Sequence, residues 1–190
     1  MSIGGLVILE GHDGCGKSTL AKELARRNAM TTIIVNHGPY PEVGPEDLME
    51  TYARSMKRLD RLPPGSLVIL DRCWISEEIY GRVARHGANR IDASARRYLE
   101  RVAAARRGIV VIPFAHSDKA FQAWVSRPTE EYLQKREEWD EVSQIYYGGD
   151  FSLEGVPEEQ VFVDYSISLD AYAAQVEGAI EWRRAAFYGN

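Results

Sequence analysis

The sequence predicts a three-layer α/β domain built on a five-stranded parallel sheet, and three observations predict it. Five short apolar runs read as strands buried on both faces: Leu6-Val7-Ile8-Leu9, Thr32-Ile33-Ile34-Val35, Leu67-Val68-Ile69-Leu70, Ile109-Val110-Val111-Ile112 and Val161-Phe162-Val163. The segments between them repeat apolar residues at helical spacing, so strand and helix alternate along the whole chain. A glycine-rich turn, Gly11 to Ser18, lies directly between the first strand and the first helix.

Each element has its own signal. The first strand is bounded by Gly4-Gly5 and Gly11, and after the turn Leu20, Ala21, Leu24 and Ala25 carry a helix through Arg27. Later helices are expected from Pro45 to about Leu62, Ile75 to Arg85, Asp92 to Arg107, Thr129 to Tyr147 and Leu169 to Phe187. In the last of these Tyr172, Val176, Ala179 and Ile180 form one apolar face, with Ser168 placed as N-cap. Pro63-Pro64-Gly65 and Gly148-Gly149-Asp150 punctuate the chain but are too short for interdomain linkers, so residues 1–190 are expected to form one domain.

Composition narrows the class. With 190 residues, 45% apolar and 27% charged, the chain can bury a core without disulfides, and two cysteines are too few for a disulfide framework. A reducing cytoplasm is the expected location, since the N-terminus shows no charged leader and no window approaches about 18 uninterrupted apolar residues. The net charge of −5 argues against a protein that coats nucleic acid. It hides a split: residues 50–107 carry 13 Lys/Arg against 7 Asp/Glu, leaving a local anion pocket open.

Gly11-His12-Asp13-Gly14-Cys15-Gly16-Lys17-Ser18 fits the phosphate loop G-x-x-x-x-G-K-[ST]. Glycines let backbone N–H groups converge on phosphate oxygens, and the helix N-terminus adds partial positive charge. Gly11, Gly14, Cys15, Gly16, Lys17, Ser18 and Thr19 are therefore the expected ATP-binding residues, with Lys17 neutralising the transferring phosphate and the Ser18 hydroxyl ligating Mg²⁺. The third strand ends in Asp71-Arg72. An aspartate there can face the phosphate-loop crevice and serve the metal, and the next residue, Arg72, suits a second anionic group. Taken alone, Asp71 reads equally as a turn-capping carboxylate and Arg72 as a solvated strand end.

Two motifs together carry a resemblance. Glu10-Gly11-His12-Asp13-Gly14-Cys15-Gly16-Lys17-Ser18-Thr19 resembles the EGxDGxGKST loop of thymidylate kinases, and Asp71-Arg72-Cys73-Trp74-Ile75-Ser76-Glu77-Glu78-Ile79-Tyr80 their DRxxxSxxxY segment, about 55 residues on. The resemblance implies a P-loop NTPase fold with strand order 2-3-1-4-5. It also implies Mg²⁺-dependent transfer of the terminal phosphoryl group of ATP to a deoxynucleoside monophosphate. Residue by residue, it implies that Lys17 and Ser18 bind donor phosphates and Mg²⁺, that Asp13 faces the acceptor sugar or phosphate, and that Arg72 holds the acceptor phosphate. Asp71 would organise the metal side. Tyr80 would lie against the sugar and disfavour a 2′-hydroxyl, although a half-buried helix aromatic is the plainer reading of it.

A lid is implied over residues about 126–150, where Ser126-Arg127-Pro128 opens the segment and Lys135 and Arg136 follow; Arg127 is the candidate catalytic arginine. Tyr52 and Arg54 loosely match the acceptor-side helix of the family, against a plainer reading with Tyr52 in the core and Arg54 on a solvated face. Ser76 and Glu77 fall on the acceptor side. The family favours Tyr after Asp-Arg, whereas Cys73 and Trp74 stand here. Glu77 occupies a position where the family often has a base-reading amide. An ionised glutamate only accepts hydrogen bonds, so it suits base edges offering donors, which implies an altered or broadened base preference; a Glu77 that simply faces solvent is the plainer reading. The compact segment through Tyr80-Gly81, Arg82, Arg85 and Arg90 looks more like viral, bacteriophage-type members.

The expected partners are ATP and a deoxynucleoside monophosphate, with a homodimer by resemblance and neither nucleic acid nor membrane. Two other readings stay open: a phosphate-loop kinase of a nucleoside or of a modified base in DNA, and a nucleotide-binding regulator. His12, His37, His86 and His116 lack metal-ligand spacing, and Trp124, Trp139 and Trp182 read as packing residues.

Overall fold

A computed structural model describes residues 4–189 apart from 39, 41, 42, 86, 116, 127–132, 134, 149–152, 164 and 165. Strand and helix alternate as β1 (Gly5–Leu9), α1 (Lys17–Arg27), β2 (Thr32–Asn36), α2 (Pro45–Lys57), β3 (Leu67–Asp71), α3 (Trp74–Val83), α4 (Ala93–Ala104), β4 (Ile109–Phe114), α5 (Ser117–Val125), α6 (Arg136–Gly148), β5 (Glu158–Phe162) and α7 (Leu169–Tyr188). A short 3₁₀ turn, Arg58–Arg61, extends α2.

The sheet has the order β2-β3-β1-β4-β5, and every pairing is parallel. Register aligns Leu9 with Asp71 and with Val111, so the carboxyl ends of β1, β3 and β4 finish at one rim. Alternation along the strands divides the core in two. Leu6, Ile8, Val68, Leu70, Val110 and Ile112 pack against residues of α2, α3, α4 and α6. Val7, Leu9, Leu67, Ile69, Ile109 and Val111 pack against α1 and α7. Sandwiching by helices is why the central strands read as uninterrupted apolar runs.

The edges depart from the expected bounds. β5 covers Glu158–Phe162 rather than residues 161–163, because an edge strand exposed on alternate residues admits Glu158, Glu159 and Gln160. The helix expected from Thr129 is α6, starting at Arg136, with 129–132 outside the described residues. α5 is an addition: it buries Ala120 and Trp124 at i, i+4. Ser168 caps α7 as expected, its hydroxyl accepting from Ala171 N–H. Among the described residues no helix is long and apolar enough to cross a membrane.

Candidate active site

The loop after β1 is shaped by glycines in left-handed conformation. Gly14 (φ 87°) lies so close to α5 that a Cβ would sit 2.1 Å from the Ala120 carbonyl. Gly16 (φ 86°) precedes α1, and a Cβ there would meet nothing within 4 Å. One glycine thus packs the loop on the protein while the other keeps its outer side open for an approaching anion. Lys17 is buried, and its Nζ donates to the carbonyls of Gly11 (2.8 Å) and His12 (2.7 Å). Cys15 Sγ lies 3.7 Å from the same nitrogen, and Thr19 is exposed on the first turn of α1.

Ser18 Oγ donates to Asp71 Oδ2 at 2.5 Å. An exposed hydroxyl and a buried carboxylate therefore meet across the rim, as β1–β3 pairing demands. Two hard oxygen donors beside an open phosphate cradle fit Mg²⁺, which binds through one or two protein oxygens and otherwise through phosphate and water.

Beyond Asp71 the backbone turns sharply. Arg72 has φ 72°, a conformation costing a non-glycine residue on the order of 1–2 kcal/mol. Its N–H is tied to Leu9 O at 2.9 Å, and the turn swings the guanidinium under the phosphate loop. There Nη1 donates to Gly11 O (3.3 Å) and Ser76 Oγ (3.2 Å), and Nη2 donates to Asp13 Oδ1 and to Tyr80 Oη (3.1 Å). Tyr80 in turn donates to Asp13 Oδ2 at 2.7 Å, and the guanidinium lies 4.9 Å from the Tyr80 ring centre. Ser76 and Tyr80 are four residues apart on one face of α3, which is why both reach the same cation. Burial works against the Arg72 charge, but Asp13, Tyr80, Tyr146 and Glu10 together outweigh it, so the proton is held more firmly than usual. Burial pushes the Tyr80 phenol well up.

Glu10 belongs to the same cage, although no function is assigned to it above. α3 begins without a side-chain cap of its own, and Glu10 from the end of β1 takes that place. Its Oε1 accepts from Cys73 N–H (2.6 Å) and, more distantly, Ser76 N–H (3.4 Å). Its Oε2 accepts from Ser76 Oγ (2.5 Å) and Tyr146 Oη (3.0 Å). Burial raises the Glu10 pKa, partly offset by Ser76 and Arg72. The available signal was an acid ending a fully buried strand; Tyr146, 136 residues away, gave none.

α6 is seated on both the cage and the loop. Trp139 Nε1 donates to Asp13 O at 3.1 Å, and the His12 ring meets Trp139 (4.6 Å) and Tyr147 (5.2 Å) edge-on. Burial lowers the His12 pKa to about 4, leaving the ring neutral near pH 7. Arg136 stacks over Phe121 at 4.0 Å.

On α3, Glu77 is 6% exposed and its Oε2 accepts from Arg85 Nη2 (2.9 Å), Arg90 Nε (3.0 Å) and Arg90 Nη2 (2.7 Å). Arg90 also donates to the carbonyls of Tyr40 and Val43, tying α3 to the β2–α2 connection. His37 Nδ1 lies 2.9 Å from Tyr40 Oη, and the Tyr52 ring packs 4.8 Å from the imidazole.

The structure thus brings together Asp13, Lys17, Ser18, Asp71, Arg72, Ser76 and Tyr80, with Tyr52 and Glu77 at the side. Arg54 is a correction. It sits on the outer face of α2, pairs with Glu50 at 2.8 Å and leaves 69% of its side chain exposed, because Leu48, Tyr52, Ala53 and Met56 take the inward face. Arg127 lies outside the described residues.

The all-parallel 2-3-1-4-5 sheet with a phosphate loop after β1 defines the P-loop kinase fold. No family model matches the sequence, and no curated protein matches it significantly. Solved structures do. YorR from Bacillus subtilis, in complex with phosphorylated GDP, superposes with TM-score 0.65 at 21% identity, covering 93% of this chain and 96% of that one. Deoxyadenosine kinase from M. mycoides with bound dATP gives 0.59 at 16% identity, covering 92% and 98%. Thymidylate kinase from Candida albicans gives 0.54 at 17%, covering 94% and 92%.

Proposed function

We propose that the chain is a deoxynucleoside monophosphate kinase that transfers the terminal phosphoryl group of ATP to a dNMP, giving dNDP and ADP. The observation that carries this reading is the Arg72 cage: a partly buried guanidinium, forced by a left-handed backbone beneath the phosphate loop and backed by Asp13 and Tyr80. A second anion-binding centre facing a donor site is what an acceptor already bearing a phosphate needs. The solved structures named above include kinases of deoxynucleosides and of thymidylate, in line with this class of substrate.

In this reading Lys17 and the loop N–H groups hold the donor phosphates, and Ser18 and Asp71 would hold Mg²⁺, which would neutralise charge developing on the leaving nucleoside diphosphate. Arg72 stays held through Nη1 by Ser76 Oγ and Gly11 O, and the acceptor phosphate replaces Asp13 at Nη2, freeing the Asp13 carboxylate for a sugar hydroxyl. Tyr80 packs beside the sugar. The acceptor phosphate attacks in line without a covalent intermediate, and positioning supplies the rate. Arg127 and closure of the 126–150 segment, a homodimer and a cytoplasmic location belong to the same proposal.

Glu77 refines the substrate. Two arginines hold its Oε2, whereas Oε1 has no hydrogen bond among the described residues. An acceptor atom fixed in this way suits an amino-bearing base, adenine, cytosine or guanine, better than thymine. Assays with dAMP, dCMP, dGMP and dTMP under identical conditions test this; strict dTMP selectivity contradicts it.

A second reading is phosphorylation of a deoxynucleoside 5′-hydroxyl, in line with the likeness to a deoxyadenosine kinase. Running each deoxynucleoside beside its monophosphate separates the two.

A further inference from the structure

Three oxygens meet beneath the Arg72 guanidinium. Ser76 Oγ and Glu10 Oε2 are 2.5 Å apart, Tyr146 Oη and Glu10 Oε2 3.0 Å, and Ser76 Oγ and Tyr146 Oη 2.9 Å. When Glu10 is ionised, this triangle contains two hydroxyl protons, and both are drawn to the carboxylate. Ser76 Oγ is then left with lone pairs toward Arg72 Nη1, which donates to it. Tyr146 donates to the same carboxylate oxygen as Ser76, so its phenol helps fix that oxygen and, through it, the Ser76 hydroxyl and the guanidinium. Tyr146 is fully buried and is the one cage member contributed by α6. Trp139, on the same helix, holds the Asp13 carbonyl instead.

We infer that Tyr146 is a positioning residue for the acceptor: acting through Ser76 and Glu10, it holds Arg72 in the orientation that receives the acceptor phosphate. The inference rests on the monophosphate-kinase reading. It extends that site to a helix that follows the 126–135 connection, so that the acceptor centre and the donor loop are both braced by α6.

The test is steady-state kinetics of Tyr146→Phe, which keeps the ring and removes the hydroxyl, with the best acceptor from the dNMP series. The expected result is an acceptor KM raised about tenfold with the KM for ATP within about twofold of wild type. A fall in kcat with both KM values unchanged, an equal rise in both, or no change overturns the inference. Should Tyr146→Phe not fold, Tyr146→Met, which also removes the hydroxyl, is held to the same criteria. Wild-type protein that phosphorylates no monophosphate overturns the parent reading along with it, whereas an active wild type with an indifferent variant overturns only the role of Tyr146.

Discussion

Two arginine-bearing regions of this molecule use the same side chain to opposite ends. Around Arg72, residues from β1, the phosphate loop, α3 and α6 converge on one partly buried guanidinium whose four hydrogen bonds fix its plane. Along α2, the 3₁₀ turn and α4, by contrast, Arg54, Arg58, Arg61, Arg97 and Arg101 are exposed. Arg54 pairs with Glu50 one turn back, and Arg101 bonds the Arg97 carbonyl on its own helix. Exposed pairs of this kind contribute about 0–1 kcal/mol, since solvent screens them and side-chain entropy opposes them. The excess of positive charge in residues 50–107 is therefore largely solvated helix. What distinguishes Arg72 is a position after a buried strand, at a turn that aims it inward.

The contrast can be broken or sharpened by substitution. Lys17→Met should lower turnover by about 10³-fold or more with the fold intact; near-wild-type activity in folded protein removes the loop from the mechanism. Arg72→Ala should lower kcat/KM for the acceptor by about 10²-fold while the KM for ATP changes by less than about threefold. An unchanged acceptor dependence would place Arg72 among the merely structural arginines. At the other end of the scale, Arg97→Ala and Arg101→Ala should each stay within about 0.5 kcal/mol of wild-type stability and leave both KM values alone. A large loss from either would show that the outer surface is not a bystander.

A smaller effect between these extremes concerns His37. Burial lowers its pKa to about 4, with nearby Arg58 adding to the shift. The unfolded chain, with a histidine near 6.5, binds the proton first, so this contribution is complete above about pH 6.5 and is lost as pH falls toward 4. His37→Phe fills the ring volume without titrating. The stability difference between wild type and variant should therefore shift against wild type across that window, by roughly 2–3 kcal/mol at most. A difference independent of pH contradicts the neutral, buried ring.

Local chemistry explains which features were legible beforehand. The central strands were clear because burial on both faces leaves only apolar residues, and Asp13, Arg72 and Tyr80 were clear because their spacing repeats a known pair of motifs. β5 was displaced because an edge strand that is nowhere fully buried admits Glu158, Glu159 and Gln160. α5 was overlooked although Ala120, Phe121 and Trp124 follow helical spacing across its short length. Arg54 was misplaced because a motif match carries no information about which face of α2 is buried. Tyr146 and Glu10 meet only in three dimensions, and no spacing within either segment announces the contact.

The central claim is that two anions meet here and exchange a phosphoryl group. Phosphorus NMR of the protein with ATP, Mg²⁺ and each monophosphate in turn tests it most directly. The account predicts ADP and a deoxynucleoside diphosphate in equal amounts, both dependent on the added monophosphate. ADP with inorganic phosphate and no second diphosphate, whatever the acceptor, would contradict it.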